Sequence, residues 1–122
     1  MALPKVGRFN TRTYTVTMAD VSTASSAFVT VAFRCKVVRA FLAIANAITV
    51  ADPALTAKIS GTAITGMTGT AAFTGSAAGS SFTLADSTAA NIANDGDVLE
   101  LISDGGSTTT AIGTWTVVVH EF

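Results

Sequence analysis

His120 is the only histidine in this 122-residue chain, and Cys35 the only cysteine. Nucleophilic catalysis needs a base within hydrogen-bond reach of the nucleophile. His120 falls two residues from the end of the sequence, on the outward side of a terminal alternating run, and reads as a surface histidine. Cys35 stands between Arg34 and Lys36, neighbours that would lower the pKa of an exposed thiol. As a small hydrophobe turned into a core it would be inert, and this is the favoured reading. A lone cysteine excludes an intrachain disulfide.

The carboxylates cluster late, at Asp95, Asp97, Glu100 and Asp104. Asp95-Gly96-Asp97 resembles a fragment of a calcium loop, but the ladder of further oxygen ligands that such a loop requires is missing. These acids read as turn residues, whose side chains accept hydrogen bonds from nearby backbone. Zinc needs four nitrogen or sulfur ligands, which the chain does not hold. Gly61, Gly66, Gly69, Gly75 and Gly79 have neither the spacing nor the following helix of a phosphate loop. Arg34-Cys35-Lys36-Val37-Val38-Arg39, with Phe33 and Phe41 beside it, has the residue types to touch nucleic acid or an acidic protein groove. Three cations are few for nucleic acid, and the net charge is −1. The expectation is a protein without catalytic residues, cofactor or metal, and without a nucleic-acid or membrane partner.

Those residues sit in an unusual background. Ala occurs 22 times and Thr 20 times, while charged residues make only 12%, about half the usual share. A surface this poor in charge is poorly solvated unless partners cover much of it. The charges are also segregated. All seven cations, Lys5, Arg8, Arg12, Arg34, Lys36, Arg39 and Lys58, lie at or before residue 58, against Asp20 and Asp52 only. Residues 59–122 carry six carboxylates and no cation. Such polarity suits a chain that docks on copies of itself or on a charged partner. A symmetric oligomer is expected, a trimer first and a dimer second, with the basic half of one subunit meeting the acidic half of the next. No targeting segment is visible, and no run approaches the roughly 20 apolar residues of a membrane span, so a soluble protein without a cleaved signal is expected.

The elements that carry these residues are strands. Thr11–Met18 alternates threonines 11, 13, 15 and 17 against Arg12, Tyr14, Val16 and Met18, the period of a half-buried strand. Ala27–Arg34, Leu55–Ser60, Ser81–Leu84 and 114–120 repeat it. Asp52-Pro53, Gly61-Thr62, Asp95-Gly96-Asp97 and Asp104-Gly105-Gly106 mark turns, with a tight hairpin at Gly61 and a strand between the last two. Lys36–Val50 is apolar on both faces and reads as a long central strand. A helical stripe of Val37, Val38, Phe41, Leu42 and Ala45 is the other reading. Ser87–Asn94 allows one helical turn capped by Ser87. Many short strands with close turns predict an all-β fold, a single β-sandwich of jelly-roll type over residues 11–122. The predicted core is Val29, Val31, Phe33, Leu42, Ile44, Leu55, Ile59, Phe82, Leu99, Leu101, Trp115, Val117 and Val119.

Residues 1–10 read as an extended N-terminal arm. Lys5 and Arg8 give it charge, and Leu3, Val6 and Phe9 give it apolar anchors. These five are the candidate docking residues, ordered on a partner and mobile without one.

One resemblance extends over residues 36–119. An apolar strand leads into Ala47–Gly66, a hairpin of pattern AITxADxxLTxKIxGTAxTG. The Gly/Ala/Ser-rich Gly75–Gly79 follows, then AANxxxxGDVLEL at Ala89–Leu101 and SDGGST at Ser103–Thr108. This resembles a recurrent pattern in small virion proteins of tailed bacteriophages. The resemblance implies a β-sandwich capsid decoration (cement) protein or a related head structural protein. It would be made in the host cytoplasm, sit on the outer capsid surface, and bind the major capsid protein and copies of itself. A β-sandwich binding module of a tail or fibre, recognising a receptor or carbohydrate, is the alternative. That role usually needs exposed aromatics, whereas Trp115 alternates inward with Val117. An enzyme is the third and weakest class.

Overall fold

The computed structural model describes residues 10–121. Nine antiparallel strands form two sheets. They are β1 (Asn10–Met18), β2 (Ser25–Thr30), β3 (Cys35–Ile44), β4 (Ala54–Ile59), β5 (Thr62–Thr70), β6 (Ser81–Thr83), β7 (Ile92–Ala93), β8 (Val98–Ser103) and β9 (Gly113–Glu121). One sheet has the order β1-β9-β3-β6, with β7 sharing the β6 side of β3; the other has the order β2-β8-β4-β5. This is the strand order of a jelly roll, a chain folded over so that early strands pair with late ones. No helix is found among the described residues, hence none long and apolar enough to cross a membrane.

The alternation seen in the sequence is what builds the layers. On β9, Trp115, Val117 and Val119 are buried while Thr114 is exposed, and on β8, Leu99, Leu101 and Ser103 point inward. Ten of the thirteen predicted core residues are buried, and Val29, Phe33 and Phe82 pack half-buried against them. Each large side chain withdrawn from water contributes about 1.5–3 kcal/mol. Trp115 lies between Val16 and Leu42 in the register and is fully buried. Its indole N–H has no hydrogen-bond partner among the described residues, so volume rather than polarity is what this position uses.

Three local expectations need correction. The strand predicted over 27–34 ends at Thr30; Val31 still donates its N–H to the Asp97 carbonyl and accepts the Gly96 N–H at the turn before β8, and pairing stops there. Val31 is nonetheless buried, and Phe33 is half-buried and stacked on Tyr14 of β1. The long strand at 36–50 stops at Ile44, and residues 45–53 form a loop. No helical turn forms at 87–94. The Ser87 hydroxyl donates to the Val37 carbonyl at 2.5 Å instead of capping, and β7 follows. The hairpin at Gly61 is as expected: Ser60 and Gly61 both have positive φ, 45° and 87°, the geometry of a two-residue turn matched to strand twist.

Candidate functional site

The sandwich has two unlike ends. At one, which we call the arm end, β1 begins and β9 finishes. At the other, the loop end, residues 45–53, 71–80 and 104–112 meet the β1–β2 turn.

At the arm end the chain emerging from residues 1–9 enters β1 through a clamp. Asn10 Nδ2 donates to Glu121 Oε1 at 3.2 Å, and Arg12 Nε donates to the same oxygen at 3.0 Å. The Asn10 and Arg12 hydrogen bonds hold the Glu121 carboxyl below the usual range. The Arg12 guanidinium lies over the Phe33 ring, 5.3 Å from its centre, and Phe33 stacks on Tyr14 at 5.9 Å. Tyr14 in turn accepts the Ala32 N–H at 3.0 Å. The candidate docking residues Leu3, Lys5, Val6, Arg8 and Phe9 themselves lie outside the described residues. What the structure fixes is their point of departure.

The remaining sequence candidates separate. Cys35 is buried on the inward face of β3, and burial, with the Glu121 charge second, pushes its thiol pKa up. His120 is on the outward face of β9, between inward-pointing Val119 and the clamp residue Glu121. The two lie on opposite faces of one sheet and form no dyad. The basic stretch is divided by the same pleat. Cys35 and Val37 turn in, while Lys36 and Arg39 turn out, and Arg39 reaches Asp86 at 3.4 Å.

The charge segregation of the sequence also finds its use here. The jelly roll pairs early strands with late ones, so cations of the first half meet carboxylates of the second within one chain. Arg12 meets Glu121, Arg39 meets Asp86, and Lys58 stands opposite Glu100 in the register. Three of the cations thus stand beside carboxylates of the second half within one chain.

The acids are turn-holders. Asp97 accepts the Asn94 N–H at 2.8 Å, Asp104 accepts the Ala54 N–H at 2.7 Å, and Asp52 accepts the Phe73 N–H at 2.9 Å. Asp20 accepts from both Ser22 and Ala111. Among the described residues no three potential metal ligands come together. A cleft of about 350 Å³ lies at the arm end between the β4–β5 hairpin and β7. Three of its polar side chains are already engaged: Asn91 with Ser87, Asp97 with Asn94, Ser60 with Val98.

The motifs that carry the resemblance divide between the two ends, with SDGGST and the AITxAD segment at the loop end and the Gly61 hairpin and AANxxxxGD at the arm end. In SDGGST, Ser103 Oγ donates to the Val21 carbonyl at 2.7 Å, Ser107 Oγ donates to Ala51, and the Thr108 and Thr49 hydroxyls pair at 2.6 Å. Gly105 has φ 75°, and a Cβ there would collide with the Thr23 and Ala24 backbone. In the AITxAD segment, Ile48 N–H and carbonyl both bond Ser76 Oγ. In AANxxxxGD, Asn91 accepts the Val37 N–H through its backbone carbonyl and is buried. The sequence marks Asp104-Gly105-Gly106 as a turn but places Ala47–Val50 in a strand and Asn91 in a helical turn, and it does not show that residues 103–108 tie three loops together. The signal was there in a run of small hydroxyl residues around paired glycines. Comparison with protein-family models, with curated proteins and with solved structures returns no match to this chain.

Proposed function

We propose that this chain is a virion structural protein of a tailed bacteriophage, a decoration or cement protein that binds the outer capsid surface and stabilises the head without catalysis. The reading rests on the resemblance of the Ala47–Gly66, Ala89–Leu101 and Ser103–Thr108 motifs to a pattern in small phage head proteins. Within this fold the motif residues supply strand core at Leu55, Ile59, Leu99 and Leu101 and turn or loop hydrogen bonds at Ser103, Ser107 and Thr108, as a fold-specifying pattern would. The outer face of the first sheet fits the same reading. Thr11, Thr13, Thr15, Thr17 and Thr114 are exposed there, an uncharged stretch in the same sheet as the outward Lys36 and Arg39 of β3, and such a face suits an extended contact. A protein that binds only the assembled lattice shifts the equilibrium toward it by linkage, so modest affinity per copy suffices.

The arm, with Leu3, Lys5, Val6, Arg8 and Phe9, is the proposed contact with the major capsid protein. Its docking would combine a charge contribution that salt screens with an apolar one that it does not. Phe28, 59% exposed on the outer face of β2, favours the second reading, a tail or fibre binding module. It stands opposite Glu100, whose carboxylate is taken by Ser26, on a strand face rather than in a pocket.

The test is addition of purified protein to expanded heads that lack it. Saturable binding and increased resistance to mechanical or chelator-induced rupture are expected. Binding to tails or host cells with none to heads would replace this reading with the second.

A further inference from the structure

The two long sides of the sandwich are not alike. On one side, residues 84–91 lie across the gap between the sheets and bond to both. Leu84 and Ser87 donate to Ala40 and Val38, while Ala85 donates to Thr68, Thr65 donates to Ala89 and Thr88 donates to Thr65. The edge of β5 is thereby closed. On the other side lie β1 and β2, whose only ladder partners are β9 and β8. Among the described residues nothing pairs with the outer row of β1 backbone groups.

Natural edge strands are guarded by lysine, proline, bulges or short length. β1 has none of these. It is nine residues long, runs in unbroken register with β9 from Asn10 to Met18, and contains no proline or lysine. Its one cation, Arg12, is held by Glu121 and Phe33. Thr11, Thr13, Thr15 and Thr17 are exposed and β-branched, which favours a pleated, paired surface. β2 is shorter, at six residues, and Ser25 beside its start is tied to Asp20 and Thr23.

We infer that β1 is a self-association edge: it pairs antiparallel with β1 of a second copy and joins the two outer threonine sheets into one. The sequence of β1 is complementary to itself in that arrangement. In a register centred on Tyr14 or on Thr15, threonine opposes threonine along the outer face. Arg12 then opposes Val16 or Met18, so no like charges meet. Cross-strand threonine pairs are favourable. The contact is isologous and closes at two copies, the second of the two stoichiometries expected from the sequence. It does not depend on head binding and is measured without heads.

The experiment is sedimentation of the full chain over a concentration series, with circular dichroism to confirm an unchanged β fold. Wild type is expected to be a reversible dimer. Thr13→Lys/Thr15→Lys and, separately, Thr13→Glu/Thr15→Glu place like charges across the two-fold, and each should raise the dimer dissociation constant by about tenfold or more. Mixing the two variants should restore dimer, as a heterodimer, because opposite charges then face each other. A monomeric wild type, or variants that dimerise as well as wild type, would overturn the inference. So would failure of the mixture to dimerise while both variants remain folded. Deletion of residues 1–9 should leave the dimer intact. A dimer that appears only on that deletion would show the chain's own arm on the edge, and one lost on it would show the arm holding the copies together. Either result would overturn the inference.

Discussion

The loop end and the arm end of this sandwich solve different problems. Among the described residues the only charged groups at the loop end are Asp20, Asp52 and Asp104, each accepting from backbone N–H groups. Serine and threonine hydroxyls complete the stitching, and the apolar Val50, Ile112 and Phe73 stand exposed above it. At the arm end and in the half of the sandwich beside it stand all the cations of the described residues, two ion pairs and the departure point of residues 1–9. Short-range hydrogen bonds to backbone define a shape. Exposed ion pairs contribute little stability and leave the arm end adjustable. The lesson is that a charge-poor domain can put nearly all its conformational specificity into one end and keep its electrostatics at the other. Substitutions at the two ends should therefore separate fold stability from docking.

The largest effect should come from Trp115→Ala, in the half nearer the loop end, at roughly 3–5 kcal/mol. Trp115→Phe should cost far less, because it also removes a buried N–H that has no partner. Chemical denaturation of both variants checks the pair, and equal losses would show that the indole N–H is satisfied. Gly105→Ala comes next, at roughly 2–4 kcal/mol, from a left-handed φ combined with a collision against the Thr23 and Ala24 backbone. Asp104→Ala should cost about 1 kcal/mol through the lost acceptor for Ala54.

Titratable groups at the arm end should act more weakly and in opposite pH windows. Glu121 has a folded pKa below its ordinary value. Its contribution is therefore complete above the ordinary glutamate range and disappears as pH falls through the lowered value. Glu121→Gln should remove that acid dependence with little change in the neutral-pH melting temperature. Cys35 is the reverse. Its pKa is raised, so the unfolded chain ionises first, and stability falls as pH rises above the ordinary thiol range until the folded thiol also ionises. Cys35→Ala should flatten the alkaline limb, and the native thiol should react with a disulfide reagent only as fast as the protein opens.

Much of this was readable in the residues, for reasons that differ along the chain. β1, β4, β8 and β9 were legible because one face of each is buried and one is wet, which writes period-2 alternation into the sequence. The Gly61 and Gly96 turns were legible because only certain residues accept positive φ. Strand pairing was not legible in detail, since alternation says which face is inward and not which neighbour lies beside it. The charge segregation held part of that answer and pointed first to a second subunit. Ser87 was misread because a serine hydroxyl serves a helix cap or a distant carbonyl equally well, and only the tertiary position of Val37 decides between them. The docking residues 3, 5, 6, 8 and 9 rest on composition and on the clamp at Asn10, Arg12 and Glu121 that fixes where they leave.

The most direct measurement is occupancy of purified expanded heads by the full chain and by the chain lacking residues 1–9, at low and high salt. The deletion leaves every described strand intact, since β1 begins at Asn10. The account predicts an unchanged melting temperature, sharply reduced occupancy, and, for the full chain, binding that weakens but does not vanish as salt rises. Heads decorated equally well by both chains would contradict it and move the docking surface to the exposed apolar groups of the loop end.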